Sequence, residues 1–335
     1  MMQQRQLGNS SLNFSTVGIG TWAIGGGDWK FGWGPQDEDE AIEAILTGTR
    51  LGINWIDTAA VYGNGRSEEL VGKALQMLPA NARPYVATKC SRVIQPDGSI
   101  DGILKRESVI SECEASLRRL DVESIDLYQL HWPDPEQDIE EGWQTLIDLK
   151  QAGKVREIGV SNHSAEQIKR LQAMHPVASL QPPYSMVARQ IEEETLAYCG
   201  AEKIGVICYS PMCKGLLTGT FDRARAEALP ENDHRSRDPK FQEPLLGINL
   251  KLVDALKPIA ERHQMTVAQL AIAWCLRCPE VTAAIVGARH PQQITGTAPA
   301  GTWNLEAEEI AEIDTLLQQR DSALAALGPV DAGRV

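Results

Sequence analysis

The 335-residue chain is predicted to fold as one α/β domain, a closed (β/α)8 TIM barrel. Three observations predict it. Short β-branched runs alternate with longer helical patterns through nearly the whole length, as parallel strands joined by crossover helices require. Eight such strand runs suit a closed barrel better than an open doubly wound sheet. No composition shift, internal repeat or low-complexity tract marks a second domain, although the length alone would admit two.

In chain order, the strand at 16–20 is followed by a helical pattern at 38–51, that at 54–57 by 67–78, and that at 85–89 by 107–120. Asp-Val-Glu-Ser at 121–124, a polar connection of ordinary length, leads into the strand at 125–131 and the helix at 140–151. Gln-Ala-Gly-Lys at 151–154 leads likewise into the strand at 157–160 and the helix at 165–174; the strand at 178–181 and the helix at 190–199 come next. The strand at 205–209 is separated from the helix at 267–276 by a segment of different character. Residues 219–247 carry many charges, three prolines and little periodicity, and are expected to form a long loop inserted after the seventh strand. Loops of that length in compact domains are usually functional or mobile. The eighth strand is at 282–286, and the C-terminal region 305–335 reads as a helix at 305–319 followed by a Gly/Pro/Ala tail expected to be poorly ordered.

Hydrophobic residues make up 43% and charged residues 23%, the balance of a globular chain with ample apolar area for a core. Thirty-two Lys and Arg against forty-five Asp and Glu leave a formal charge of −13. Such a surface repels nucleic-acid phosphates and anionic lipid, and no basic run offsets it, so neither nucleic acid nor membrane is expected as a partner. The N-terminal Met-Met-Gln-Gln-Arg lacks the apolar stretch of a signal peptide, which predicts a cytoplasmic protein; the sequence leaves its oligomeric state open, a monomer included. Seven scattered cysteines are expected to be free thiols; the one close pair, Cys275 and Cys278, falls at a helix end, where the dipole does not activate a thiol. The six histidines show no spacing such as His-x-x-x-His, so no metal is expected. Aromatic residues are only 5% of the chain, yet Trp (8) outnumbers Tyr (6) and Phe (4).

A barrel of this kind carries its active site at the carboxyl ends of the strands. There the predicted strands end repeatedly in capable side chains: Asp57, Lys89, His131, Ser161 with Asn162, Gln181, and Tyr209 with Ser210. Each alone has a structural explanation as a cap, a snorkelling cation or a core histidine. Together with Tyr62, in the loop after Asp57, they can form a proton-donating unit. A free tyrosine titrates near pH 10, and a nearby Lys89 ammonium is expected to lower that value, with Asp57 keeping the lysine charged. Neutral His131 would hydrogen-bond a substrate oxygen. An acid beside an oxygen-orienting donor suits carbonyl reduction, where negative charge grows on oxygen as hydride arrives.

Gly-Ile-Gly-Thr-Trp (18–22), Ile-Asp-Thr-Ala-Ala-Val-Tyr-Gly (56–63), Ala-Thr-Lys (87–89), Leu-His-Trp-Pro-Asp (130–134), Gly-Val-Ser-Asn (159–162), Tyr-Ser-Pro (209–211), Lys-Gly-Leu-Leu-Thr-Gly (214–219) and Ile-Val-Gly-Ala-Arg (285–289) resemble the aldo-keto reductases, and most the bacterial general-stress branch. The resemblance runs in order over nearly the whole chain. It implies an oxidoreductase that binds NADPH (NADP+) without a Rossmann domain and reduces aldehyde or ketone carbonyls to alcohols, with aldehyde detoxification as the expected role. It implies Tyr62 as general acid, Asp57 and Lys89 tuning it, and His131 orienting the carbonyl. Ser161, Asn162 and Gln181 match positions that hold the nicotinamide carboxamide, and Tyr209 matches the ring on which the nicotinamide stacks. Thr21 and Trp22 match residues beside its ribose, and Asp57 counts among the cofactor contacts. Ser210, Pro211, Met212, Cys213, Lys214 and Gly215 resemble the pyrophosphate loop, whose lysine and backbone donors suit an anion in an otherwise acidic protein. Gly287, Ala288, Arg289 and Gln293 match the segment that grips the adenosine 2′-phosphate, with Arg289 its charge partner.

Departures from the family pattern bear on the adenine end: Gly296 and Thr297 stand where Glu-Asn is common, and Thr220 where lysine is. The clusters Gly25-Gly26-Gly27 and Gly63-Asn64-Gly65 lack the Gly-x-Gly-x-x-Gly spacing and give no independent dinucleotide signal. Two other functions remain open at this stage: a cofactor-sensing regulatory subunit of the potassium-channel-beta type, and an aldolase-like barrel with Lys89 as Schiff-base lysine. His234-Arg-Ser-Arg237 reads either as an anion contact or, more simply, as a solvated charged loop. On the barrel, Trp22, Trp29, Trp33 and Trp132 fall at the catalytic face, where apolar walls would exclude water.

Overall fold

A computed structural model describes residues 2–27, 29, 31–231 and 233–327. Eight parallel strands close on one another in chain order: β1 (Val17–Gly20), β2 (Trp55–Asp57), β3 (Tyr85–Cys90), β4 (Ile125–Leu130), β5 (Val155–Ser161), β6 (Ser179–Gln181), β7 (Gly205–Cys208) and β8 (Val281–Gly287), with β8 pairing back to β1. Helices α1 (Glu38–Arg50), α2 (Arg66–Gln76), α3 (Arg106–Leu120), α4 (Ile139–Gln151), α5 (Ala165–Gln172), α6 (Thr195–Glu202), α7 (Val267–Leu276) and α8 (Pro291–Thr297) follow the strands in turn. The expected barrel and its eight strands are therefore present, with ends shifted by a residue or two.

Strand alternation builds two cores. Trp55, Ala87, Leu127, Ile207, Ala283 and Ile285 pack together, while neighbours such as Ile56, Val86, Tyr128, Val206 and Ala284 join the larger layer under the helices. The inner core is completed by an N-terminal hairpin, Gln4–Gln6 against Asn13–Ser15, which brings Leu7, Leu12 and Phe14 onto it. Phe14 stacks on Trp55 with ring centroids 4.5 Å apart and an interplanar angle of 7°. Helices α5 and α7 begin with reciprocal capping boxes, Ser164 with Gln167 and Thr266 with Gln269, which satisfy backbone donors that would otherwise be orphaned.

The N-terminal hairpin and α8 were not expected from sequence, nor were the following features. A hairpin, Arg92–Ile94 against Ile100–Gly102, follows β3. Residues 219–247 contain helical turns at Arg223–Glu227, His234–Arg237 and Pro239–Phe241, and the segment ends inside a helix, Leu245–Arg262. That helix buries Leu246, Asn249, Leu252, Val253, Leu256 and Ile259 at helical spacing, and Pro258 inside it disguises the pattern. The helix expected at 190–199 is divided into a turn at Gln190–Glu192 and α6. The terminal helix runs Ala307–Ala325, and the tail beyond 327 lies outside the described residues. All seven cysteines are free, and six are buried. Among the described residues no helix is long and apolar enough to cross a membrane.

Candidate active site

Asp57 is the last residue of β2 and Lys89 lies one residue from the end of β3, so the two side chains enter the barrel from neighbouring strands. Both are buried, at 3% and 1% exposure. The Lys89 ammonium donates to Asp57 Oδ1 (2.8 Å) and Oδ2 (2.9 Å), to the Thr58 carbonyl (2.8 Å) and to the Tyr62 hydroxyl (3.2 Å). Because the Tyr62 oxygen accepts from Lys89, its own proton points elsewhere, as a proton donor requires. His131, half-buried just past β4, presents its ring to Tyr62 at 5.9 Å and 75°. The four residues expected to act together are thus brought together.

Burial dominates the electrostatics. It draws the Asp57 carboxyl up and the Lys89 ammonium down, while their mutual attraction opposes both shifts. The Tyr62 phenol is raised well above its ordinary value, first by burial and then by the Asp57 charge. This is opposite in sign to the sequence-based expectation that Lys89 lowers it, because the ammonium is already neutralised by Asp57 and the phenol sits in a dry site. His131 is held well below its ordinary value by burial, with the Lys89 and Arg92 charges adding to the effect, so its imidazole is neutral near pH 7.

Side-chain bonds hold the surrounding strand ends in register. Thr21 donates its backbone N–H and its hydroxyl to the Asp57 carbonyl (3.0 and 2.9 Å), and Ser67 donates to the Thr21 hydroxyl (2.8 Å). Asn162, at φ +63°, donates to the His131 carbonyl and to Ser161 Oγ (both 3.0 Å) and accepts from the Tyr209 hydroxyl (2.9 Å). The amide of Gln181 donates to Asp57 Oδ1 at 2.8 Å, a link from β6 to the ion pair that sequence does not signal. Gly63, at φ +61°, lets the β1 loop pass against Tyr62: a Cβ there would lie 2.0 Å from the Gly25 carbonyl oxygen.

Tryptophans gather over Tyr62. The Trp22 and Trp29 rings lie 6.3 and 6.0 Å from it, and Trp33 packs 6.2 Å from Trp22. Trp132 is 38% exposed. The inserted segment joins this cluster: His234 stacks on Trp22 at 5.4 Å and accepts from Trp33 Nε1 at 3.2 Å. Arg235 is buried, pairs with Asp233 at 2.6 Å and lies 4.7 Å over the Trp33 ring. The simpler expectation of a solvated loop therefore fails at His234 and Arg235, and Arg237 alone of the three is exposed.

The donor set fits a nicotinamide dinucleotide at one end of this groove. Tyr209 offers a ring anchored through its hydroxyl, with two carboxamides, Asn162 and Gln181, beside the ion pair. Ser210, Cys213, Lys214 and Gly215 all have positive φ in a tight turn where the Cys213 and Gly215 N–H groups donate to the Ser210 and Met212 carbonyls at 2.8 and 3.1 Å, and Lys214 supplies a charge although it now bonds Asp238 at 3.0 Å. Pro211 and Cys213 are buried beneath this turn and Met212 is half-buried. Gly287 ends β8, Ala288 and Arg289 follow it, and Gln293 lies on α8. Among the described residues no group of three or more His, Cys, Asp or Glu could hold a metal ion.

A closed barrel with an acid–lysine–tyrosine unit at the carboxyl ends of its strands defines a barrel oxidoreductase of carbonyl compounds. The aldo/keto reductase family model matches residues 16–318, and the chain belongs to that family. It is 38% identical over 318 residues to aldo-keto reductase YhdN of Bacillus subtilis, covering 95% of this chain and 94% of that one. It is 35% identical over 339 residues to an NADH-specific methylglyoxal reductase of Escherichia coli, covering 96% and 99%. A solved glycerol dehydrogenase of Gluconobacter oxydans superposes with a TM-score of 0.87 at 37% identity, over 99% of this chain and 98% of the other.

Proposed function

We propose that the protein reduces the carbonyl group of small aldehydes or ketones, with Tyr62 as proton donor and a reduced nicotinamide dinucleotide as hydride source. The observation that carries the reading is the 3.2 Å contact from a buried, Asp57-bound ammonium to the Tyr62 hydroxyl. When bound, the nicotinamide supplies the hydride. Tyr209, Ser161, Asn162 and Gln181, with Thr21, Trp22 and Asp57 alongside, would hold that end, and Ser210 to Gly215 the pyrophosphate. Arg289, with Gly287, Ala288 and Gln293, is where the family resemblance puts the 2′-phosphate of NADPH.

The chain's own residues handle the proton. Burial keeps Tyr62 protonated through neutral pH, and the carbonyl oxygen becomes basic enough to take that proton only as reduction charges it. Lys89 then faces the phenolate and limits the cost of the charge left behind. Neutral His131 offers a hydrogen bond to the same oxygen, and the tryptophans keep water from the reacting centre. A Schiff-base role for Lys89 is disfavoured by its surroundings: four oxygens enclose its nitrogen, and Asp57 stabilises the charged, non-nucleophilic form.

Tyr62→Phe tests the reading. Turnover of an aldehyde and dicarbonyl panel should fall by about 10²-fold or more, while dinucleotide binding, followed by quenching of tryptophan fluorescence, changes little. A near-normal kcat would remove Tyr62 as the acid. Wild-type protein that binds the dinucleotide but turns over nothing on the panel would favour the regulatory-subunit function instead.

A further inference from the structure

A cleft of about 520 Å³ opens at the α1 and α8 end of the groove, lined among others by Gln36, Asp37, Glu40, Arg289, His290 and Gln293. On the reading above it would take the adenosine of the dinucleotide, and among the described lining residues its one permanent cation is Arg289. That guanidinium is already engaged. Its Nε donates to Gln36 Oε1 at 2.7 Å, one terminal nitrogen donates to the Trp33 carbonyl at 3.0 Å, and the other donates to the Pro35 carbonyl. Gln36 returns a bond from its amide to the Arg289 carbonyl at 2.9 Å, and Gln293 accepts the Arg289 backbone N–H at 2.7 Å. Arg289 therefore acts as a clasp between the β1 loop and the segment after β8, with three of its five N–H donors aimed at neutral oxygens.

The other charges at the cleft are mostly negative. Asp37 caps α1 by accepting from the Glu40 backbone N–H at 2.9 Å, and Glu38, Asp39 and Glu40 fill the first turn. Four carboxylates there cancel the positive end of the helix dipole that would otherwise attract a phosphate. Glu40 acts on Arg289 as its attracting charge, and Arg235, the next arginine, is paired with Asp233. Lys73 is bound to Glu38. His290 bonds Gln292 at 3.0 Å. A 2′-phosphate would bring about −1.5 to −2 charges into this setting, whereas a free ribose 2′-hydroxyl can donate to a carboxylate, as at other dinucleotide sites that select the unphosphorylated form.

We infer that this cleft selects NADH over NADPH, with Gln36 holding Arg289 away from phosphate duty and Asp37 and Glu40 favouring a ribose hydroxyl. The inference rests on the nicotinamide reading and departs from the cofactor form that the family resemblance implies. Dissociation constants for NADH and NADPH, measured on the full chain by isothermal calorimetry, test it. NADH should bind about tenfold or more tightly than NADPH. Asp37→Asn with Glu40→Gln, which keeps a capping side chain at position 37, should move the ratio about tenfold toward NADPH, and Gln36→Ala should move it the same way by freeing a guanidinium donor. Wild-type affinity equal for the two forms or higher for NADPH would overturn the inference, as would a ratio that none of these variants moves. Failure to bind either form would instead overturn the nicotinamide reading, and the inference with it.

Discussion

Lys89 is a stabilising residue only while Asp57 answers it. Replacing Lys89 with Met leaves a buried carboxylate without its cation, a loss expected to cost about 3–5 kcal/mol in denaturant unfolding as well as abolishing turnover. Asp57→Asn combined with Lys89→Met should recover part of that stability and none of the activity; a single variant as stable as wild type would contradict a charged pair. The same site sets a pH expectation. Tyr62 is shifted up and His131 down, so neither titrates near neutrality, and the rate of carbonyl reduction should be flat from about pH 6 to 9. An inflection near 6.5 that His131→Gln abolishes would mean that the imidazole is far less desolvated than its burial indicates. The polar strand-end residues are legible in sequence because the architecture assigns chemistry to those positions. Gln181 donating to Asp57, and the sign of the Tyr62 shift, are not legible, since both depend on which groups share a dry space.

At the scale of elements, α3 braces the strand that carries Lys89. Ser91, just past β3 and at φ +79°, gives its backbone N–H to the Glu112 carboxylate at 3.2 and 3.1 Å. Burial raises Glu112 to about 7, while the Ser91 bond pulls the other way. Its folded value therefore lies above the unfolded one near 4.3, the native state holds the extra proton between them, and this contribution to stability is lost as pH rises from about 4.5 to about 7. His163 and His234, both held at about 4 by burial, act oppositely and gain stability over about 4 to 6.5. Glu112→Gln isolates the acid: relative to wild type its unfolding free energy should rise by about 2.5 kcal/mol between pH 5 and 8. A difference independent of pH would show that Glu112 titrates normally. The barrel helices α1 to α7 were legible from their 3.6-residue periodicity, whereas the short α8 was not, and Leu245–Arg262 escaped because charged and prolyl residues interrupt its pattern while packing keeps it helical.

For the whole molecule, closure of the barrel leaves an apolar floor that the N-terminal hairpin covers. Phe14→Ala removes the ring stacked on Trp55 and is expected to cost about 3–5 kcal/mol, read as a fall in denaturation midpoint with little change in slope. A cost below about 1 kcal/mol would mean that the hairpin is an appendage instead of part of the core. The tryptophan excess also resolves at this scale. Trp22, Trp29 and Trp33 meet over Tyr62, while Trp55, Trp143 and Trp274 are fully buried and Trp303 nearly so.

By itself the sequence determined the strand–helix alternation, the number of strands and the residue types at their carboxyl ends, because periodicity and strand termini are local properties that each segment carries alone. Only the tertiary structure decided where each donor points. Arg289 looks in sequence like a cation awaiting phosphate, and in the fold it meets Gln36, 253 residues away, and closes a loop instead. The acidic first turn of α1 likewise acquires meaning only when the segment after β8 brings Arg289 beside it. Hydrogen-bond choice and desolvation depend on neighbours that chain folding selects, and those neighbours decide both the acidity of Tyr62 and the bonds that Arg289 makes.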